Sequence, residues 1–149
     1  TNKIHWELAN NPNNREKASF LKENFTLLKK EKKLHFITEG KLFKNIEVKF
    51  FHGHTKAQMI PLIKYKKHKI VFMADLLPSI GHIPLPYVMS YDTQPLISLK
   101  EKDIFLKQAA KKNYILFLEH DEKYECCTVK ETNKGIRCDK KGKLTDFLN

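Results

Sequence analysis

The stretch Ile46-Glu47-Val48-Lys49-Phe50-Phe51-His52-Gly53-His54-Thr55 decides how this chain is read. Its first part alternates, with Ile46, Val48 and Phe50 on one face and Glu47 and Lys49 on the other, which is the two-residue period of a β-strand. The strand runs directly into His52-Gly53-His54-Thr55, where a glycine between two histidines lets the backbone turn sharply and leaves imidazoles at a strand end. Two further apolar runs stop in the same way: Ile70 to Ala74 at Asp75, and Tyr114 to Leu118 at Glu119-His120-Asp121. His54, Asp75 and His120 are therefore each expected where a strand gives way to a loop, and they converge if the strands share a sheet. Imidazole nitrogen and carboxylate oxygen suit zinc or a similar divalent ion, and an aspartate has two oxygens with which to bridge a pair of ions.

Outward from these strand ends, Met59 to Tyr65 and Ile70 to Ala74 flank the basic turn Lys66, Lys67 and His68 and read as a hairpin. Upstream, Ala18, Leu21, Phe25 and Leu28 recur at three- and four-residue steps, which predicts an amphipathic helix from Asn13 to Lys33, capped by Asn13 or Asn14. Its lysine-rich end reads as a solvated helix terminus. Leu34 to Thr38 is expected as a strand before a turn at Glu39-Gly40. Downstream, Pro78, Pro84, Pro86 and Pro95 exclude a helix or a central strand, so the segment from Leu76 to Ile97 is expected as a long ordered loop. Ser98 with Glu101 makes a capping box for a helix ending near Asn113. A last hairpin spans Glu125 to Thr132 and Ile136 to Cys138 around Asn133-Lys134-Gly135, and residues 140–149 are expected to be loosely held.

The ordered strand ends resemble a known family. Phe51-His52-Gly53-His54-Thr55 is similar to the GHT segment of the metallo-β-lactamase-fold hydrolases. Val71-Phe72-Met73-Ala74-Asp75-Leu76 resembles their strand ending in a bridging aspartate, commonly GD and here Ala74-Asp75. Leu116-Phe117-Leu118-Glu119-His120-Asp121 resembles the strand that delivers their last metal-binding histidine. Pro78-Ser79-Ile80-Gly81-His82-Ile83-Pro84 and Tyr91-Asp92-Thr93-Gln94-Pro95 look like the loop of the lactonase-like and organophosphate-hydrolase-like branch.

The resemblance implies an α+β fold, part of an αββα sandwich, seen here as mostly one mixed sheet with helices on one face. It implies two metal ions in the complete enzyme, usually zinc, with iron, manganese or cobalt as alternatives, and hydrolysis of an ester, lactone, amide or phosphoester by metal-bound hydroxide. Carried over, His54 would bind the first ion, Asp75 would bridge both, and His120 would bind the second. His82, Tyr87 and Tyr91, in the proline loop, are substrate-pocket candidates. The signature HxHxDH is absent from these residues, and Lys56, Ala57 and Gln58 stand where the pattern GHTPGH has proline, glycine and histidine. The 149 residues are thus expected to be the carboxyl-terminal portion of one such domain, opening on Thr1 rather than methionine, with the missing amino-terminal half as partner. With one histidine per ion, the isolated chain is expected to bind metal weakly and to hydrolyse negligibly.

Composition sets the outer bounds. At 149 residues, 41% hydrophobic and 11% aromatic, the chain is one domain's worth of globular sequence, and its apolar runs are too short to cross a membrane. Three cysteines without CxxC spacing point to a reducing compartment, so a cytoplasmic location is expected. A half-domain would expose an apolar edge, which predicts self-association into a homo-oligomer. The net charge of +11 supports an alternative, a small basic nucleic-acid-binding module. That reading ranks second because the lysines are spread over nearly every element, arginine is confined to Arg15 and Arg137, and no recognised binding signature occurs. Cys126 and Cys127 are expected to face opposite sides of a strand, one buried and one exposed, and Asp92 reads as a turn or cap residue.

Overall fold

A computed structural model describes all residues, 1–149. Seven strands form one sheet in chain order: β1 (Gly40–Phe43), β2 (Ile46–Phe51), β3 (Gln58–Tyr65), β4 (His68–Phe72), β5 (Ile115–Phe117), β6 (Cys126–Thr132) and β7 (Gly135–Gly142). Neighbours pair antiparallel except β4 and β5, which run parallel. A parallel pair needs a crossover, and the connection from β4 to β5 carries the proline loop and the longest helix, Pro95–Lys112. The fold class is the expected one: α+β, with a mixed sheet.

This topology has a direct consequence for the strand ends. Two antiparallel steps from β2 to β4, then one parallel step to β5, leave β2, β4 and β5 pointing the same way. Their carboxyl-terminal ends therefore share one rim of the sheet, and the segments holding His54, Asp75 and His120 all begin there.

The main core lies on one face. Leu62, Val71, Leu116 and Cys127 stand in register across four strands and are at most 2% exposed. Against them pack Phe105, Leu106 and Ala109 of the long helix and Met73, Leu77 and Ile83 of the loop. Burying a Leu, Val or Phe side chain fully stabilises by about 1.5–3 kcal/mol, so this layer fixes the sheet on the helix. The second face carries a smaller cluster of Ile70, Ile115 and Cys126, covered by Leu144, Phe147 and Leu148.

Five local expectations are corrected. The predicted helix from Asn13 to Lys33 is broken into two 3-10 turns, Lys17–Ser19 and Lys22–Asn24, and a five-residue helix α2, Thr26–Lys30. Its apolar stripe is split: Leu21 and Leu28 are 50% and 47% exposed, while Phe25 packs edge-on against Trp6. The true amino-terminal helix is α1, Lys3–Asn10, capped by Asn2, whose Oδ1 accepts from His5 N at 2.8 Å. Leu34 to Thr38 forms no strand.

The long helix, α3, starts at Pro95 with Gln94 as cap, so Ser98 and Glu101 lie inside it rather than at its start. Residues 140–142 complete β7, and a 3-10 turn, Leu144–Phe147, packs its apolar side chains on the second face. Cys126 and Cys127 do face opposite sides, but both are 0% exposed, because the sheet is covered on both faces there. Burial pushes the Cys126 thiol up to about 12 and raises that of Cys127 as well, which leaves neither a nucleophile. No helix is long and apolar enough to cross a membrane.

Candidate metal centre

At the shared rim the three sequence-predicted residues meet. His54 Nε2 lies 3.5 Å from Asp75 Oδ2, and His120 Nε2 lies 3.3 Å from Asp75 Oδ1. One carboxylate thus faces two imidazoles, a different oxygen toward each. No group of three or more histidine, cysteine, aspartate or glutamate side chains is gathered around a single point to hold one ion. The reason is this division: each prospective position has one imidazole and one carboxylate oxygen, half of a tetrahedral complement.

His54 is held from behind. Its Nδ1 lies 2.9 Å from Asp92 Oδ1, a carboxylate only 3% exposed, which leaves Nε2 turned toward Asp75. A carboxylate on the far nitrogen fixes the tautomer and ring orientation of a ligating histidine. Sequence reasoning missed this role for Asp92 because its partner is 38 residues away and nothing local distinguishes it from a turn residue. The hydrogen bond to Asp92 raises the His54 pKa above its ordinary 6.5; partial burial opposes this and the Asp75 charge adds to it. A folded-state pKa above the unfolded one contributes stability that is fully present below pH 6.5 and fades as pH rises through the raised value. Asp92→Asn is expected to bring the His54 titration in the metal-free chain back toward 6.5, read from its ring-proton NMR signal; an unchanged midpoint would refute the assignment.

The turn that carries His54 is docked on the first two turns of α3. Glu101 accepts from His52 N at 2.8 Å and from Gly53 N at 3.0 Å. Thr93 N donates to His54 O at 3.0 Å and Gln94 N to Gly53 O at 2.9 Å. Glu101, expected as a capping-box partner, accepts from this turn's amides instead. From the amino-terminal side, Asn2 Nδ2 donates to Ala57 O at 2.8 Å, and His5 Nδ1 lies 2.9 Å from Lys56 O.

Backbone tension flanks the site at two alanines, Ala57 with φ 60° and Ala74 with φ 42°, both in the left-handed region. They occupy the places where the resembled patterns have glycine, the residue that adopts such a backbone without Cβ strain. Gln58, which stands where GHTPGH ends in histidine, donates from Nε2 to Asp75 Oδ2 at 3.3 Å. Its Oε1 is buried without a hydrogen-bond partner. On the far side, Asp121 is kept ionised below the ordinary carboxylate range: burial opposes this, but the backbone N–H groups of Ile80, Lys123 and Tyr124 outweigh it. The bond from Ile80 ties the segment after His120 to the proline loop, and the other two close the turn that holds Asp121.

A cavity of about 550 Å³ opens over the site. His54, Asp75 and His120 lie in its floor, and Arg15, Phe20, Met59, Met89 and Tyr91 are among its walls. Tyr91, of the three pocket candidates, lines it. His82 and Tyr87 are not among its walls: His82 Nδ1 bonds Ser79 Oγ at 2.8 Å, and Tyr87 is 61% exposed. Glu16 and Arg15 reach the cavity from the broken amino-terminal segment, and Thr55 Oγ1 donates to Glu16 Oε1 at 2.5 Å.

The fold has counterparts among solved structures. The chain superposes on a probable metal-dependent hydrolase from Staphylococcus aureus with a TM-score of 0.77 and 25% identity, covering 92% of this chain and 48% of that one. It matches AidC, a dizinc quorum-quenching lactonase solved with its product, with a TM-score of 0.74 and 24% identity over 93% of this chain and 52% of that one. The hydrolase AbOPH of the β-lactamase superfamily gives 0.77 and 15% identity over 92% and 52%. No protein-family description and no curated protein matches the sequence. The fold is that of the metallo-β-lactamase-fold hydrolases, in part. The chain spans about half the length of the solved structures that it matches.

Proposed function

We propose that this chain is the carboxyl-terminal portion of a metal-dependent hydrolase of the metallo-β-lactamase fold, acting on a small-molecule ester, lactone, amide or phosphoester. The observation that carries the reading is the placement of one carboxylate, Asp75, between two imidazoles from separate strand ends, with a different oxygen toward each. A bridging aspartate with one histidine on either side suits a pair of divalent ions, zinc first among them, and the unpartnered Gln58 Oε1 marks a neighbourhood left polar and unsatisfied. His54, Asp75 and His120 would hold the ions, the remaining ligands coming from an HxHxDH half. Two such ions supply Lewis acidity, acidifying water at neutral pH and polarising the scissile group.

The chain's own residues prepare the site. Asp92 orients His54, Asp75 keeps the two imidazoles apart, and Phe20, Met59 and Met89 give the cavity apolar walls that limit water around a bound substrate. Tyr91, at the cavity wall, is placed to contact a leaving or acyl group. Three free cysteines, two of them fully buried, agree with a reducing cytoplasmic setting.

The test uses the longest reading frame that contains the chain, loaded with zinc and assayed against p-nitrophenyl esters, homoserine lactones and a phosphotriester. Turnover of at least one class, abolished by chelation and absent from the 149 residues alone, is the expected result. A zinc-loaded product inert toward all of them would overturn the proposal, and two zinc ions retained per isolated chain after dialysis would overturn the expectation that this portion alone binds metal weakly.

A further inference from the structure

Lys102 lies on the core-facing stripe of α3 with Ser98, Phe105, Leu106 and Ala109, and is 1% exposed. A lysine so enclosed needs a partner for each of its three donors. Its partners are not carboxylates. Lys102 Nζ donates to the backbone oxygens of His82 at 2.9 Å, Pro84 at 3.3 Å and Tyr87 at 2.5 Å. All three belong to the proline loop, where Pro84 and Pro86 carry no N–H group to donate to neighbouring carbonyls. From Tyr87 the chain runs on to Asp92, on His54 Nδ1, and then to Thr93 and Gln94, whose amides bond the carbonyls of His54 and Gly53.

We propose that Lys102 is a positioning residue: by gathering the carbonyls of His82, Pro84 and Tyr87 it sets the course of the loop that places the Asp92 carboxylate against His54. Pro84 O also accepts from Tyr87 N at 3.1 Å, and the ammonium joins that turn to the carbonyls of His82 and Tyr87. It touches neither the cavity nor the prospective ions, and its effect reaches the site through Asp92. The functional meaning of this arrangement rests on the metal-site reading above, whereas its test is made on the metal-free chain, so the two can fail separately.

Lys102→Met keeps the stem's length and apolar character but removes the donors. In the folded variant, backbone amides of Asp92, Thr93 and Gln94 are expected to exchange about tenfold faster, while those of Leu62 and Val71 change less than about twofold. The His54 ring is expected to lose its fixed Nδ1–H tautomer, seen by long-range nitrogen–proton NMR. A folded variant with an unchanged loop and an unchanged His54 ring would overturn the proposal.

If the variant does not fold, the wild-type chain supplies the answer. Burial holds the Lys102 ammonium down to about 8, against the pull of Asp92, and the other titrating group facing it is His82. The amide signals of Tyr87 to Met89 should then move together, with the midpoint at which the Lys102 side-chain nitrogen itself titrates. No movement of those amides across the full Lys102 titration, followed by that nitrogen signal, would overturn the proposal equally.

Discussion

Replacing Gly53 with alanine is expected to cost about 3 kcal/mol of stability and to unseat His54 from Asp75. A Cβ at this position would lie 2.2 Å from Ser98 Oγ, 2.3 Å from Ser98 N and 2.4 Å from Ser98 Cα. The hydroxyl could swing away, but the other two atoms belong to the backbone of α3 and cannot. The turn is fastened to that helix through Glu101 and Gln94, so relief requires breaking those bonds and moving the imidazole with them. Urea denaturation of the two proteins checks the energy, and the His54 ring signals check the displacement. Ser98→Gly should not rescue the variant, because the backbone atoms remain. An alanine variant as stable as the parent would show that the turn is not seated where the structure has it.

The second large effect is at Asp75. Asp75→Ala should lower the zinc affinity of the chain at least about 100-fold, since it removes an oxygen from both prospective positions at once, whereas loss of an outer partner of a ligand costs about 10–100-fold. His54→Ala or His120→Ala takes a donor from one position only and should cost less. Competition against a zinc-sensitive chelator measures all three. Equal losses across the series would mean that the carboxylate does not serve two ions, and no loss would mean that metal binds elsewhere. Asp75 side-chain exposure of 25% makes a general collapse of the fold an unsuitable explanation for a change in affinity.

The strand ends were legible in the sequence because alternation over β2 and continuous apolar runs into Asp75 and His120 each carry their own period. Their convergence was legible only as a condition, that the strands share a sheet; the direction of β2, β4 and β5 supplies it. The amino-terminal helix was misread because three- and four-residue spacing describes a stripe without saying whether anything packs on it. Trp6 instead gathers Phe25 and Phe36 edge-on at 5.3 and 6.2 Å, and those contacts draw the segment into short turns. Glu101 and Asp92 were assigned local jobs by local rules, and their partners lie 49 and 38 residues away. Lys102 did leave a signal. It falls on the apolar stripe of α3 between Ser98 and Phe105, where a charge has no reason to stand unless something inside receives it.

The two alanines with left-handed backbones bear on how this protein could be made sturdier. Each carries a penalty of roughly 1–2 kcal/mol that glycine would not, and both are held by contacts made elsewhere: Ala57 by Asn2, Ala74 by the apolar packing around it. Glycine at either place would relax the main chain, at the cost of a looser unfolded state. An engineer seeking a hardier scaffold would begin with these two positions, and the rim they frame would then keep its shape by local preference as well as by the grip of its surroundings.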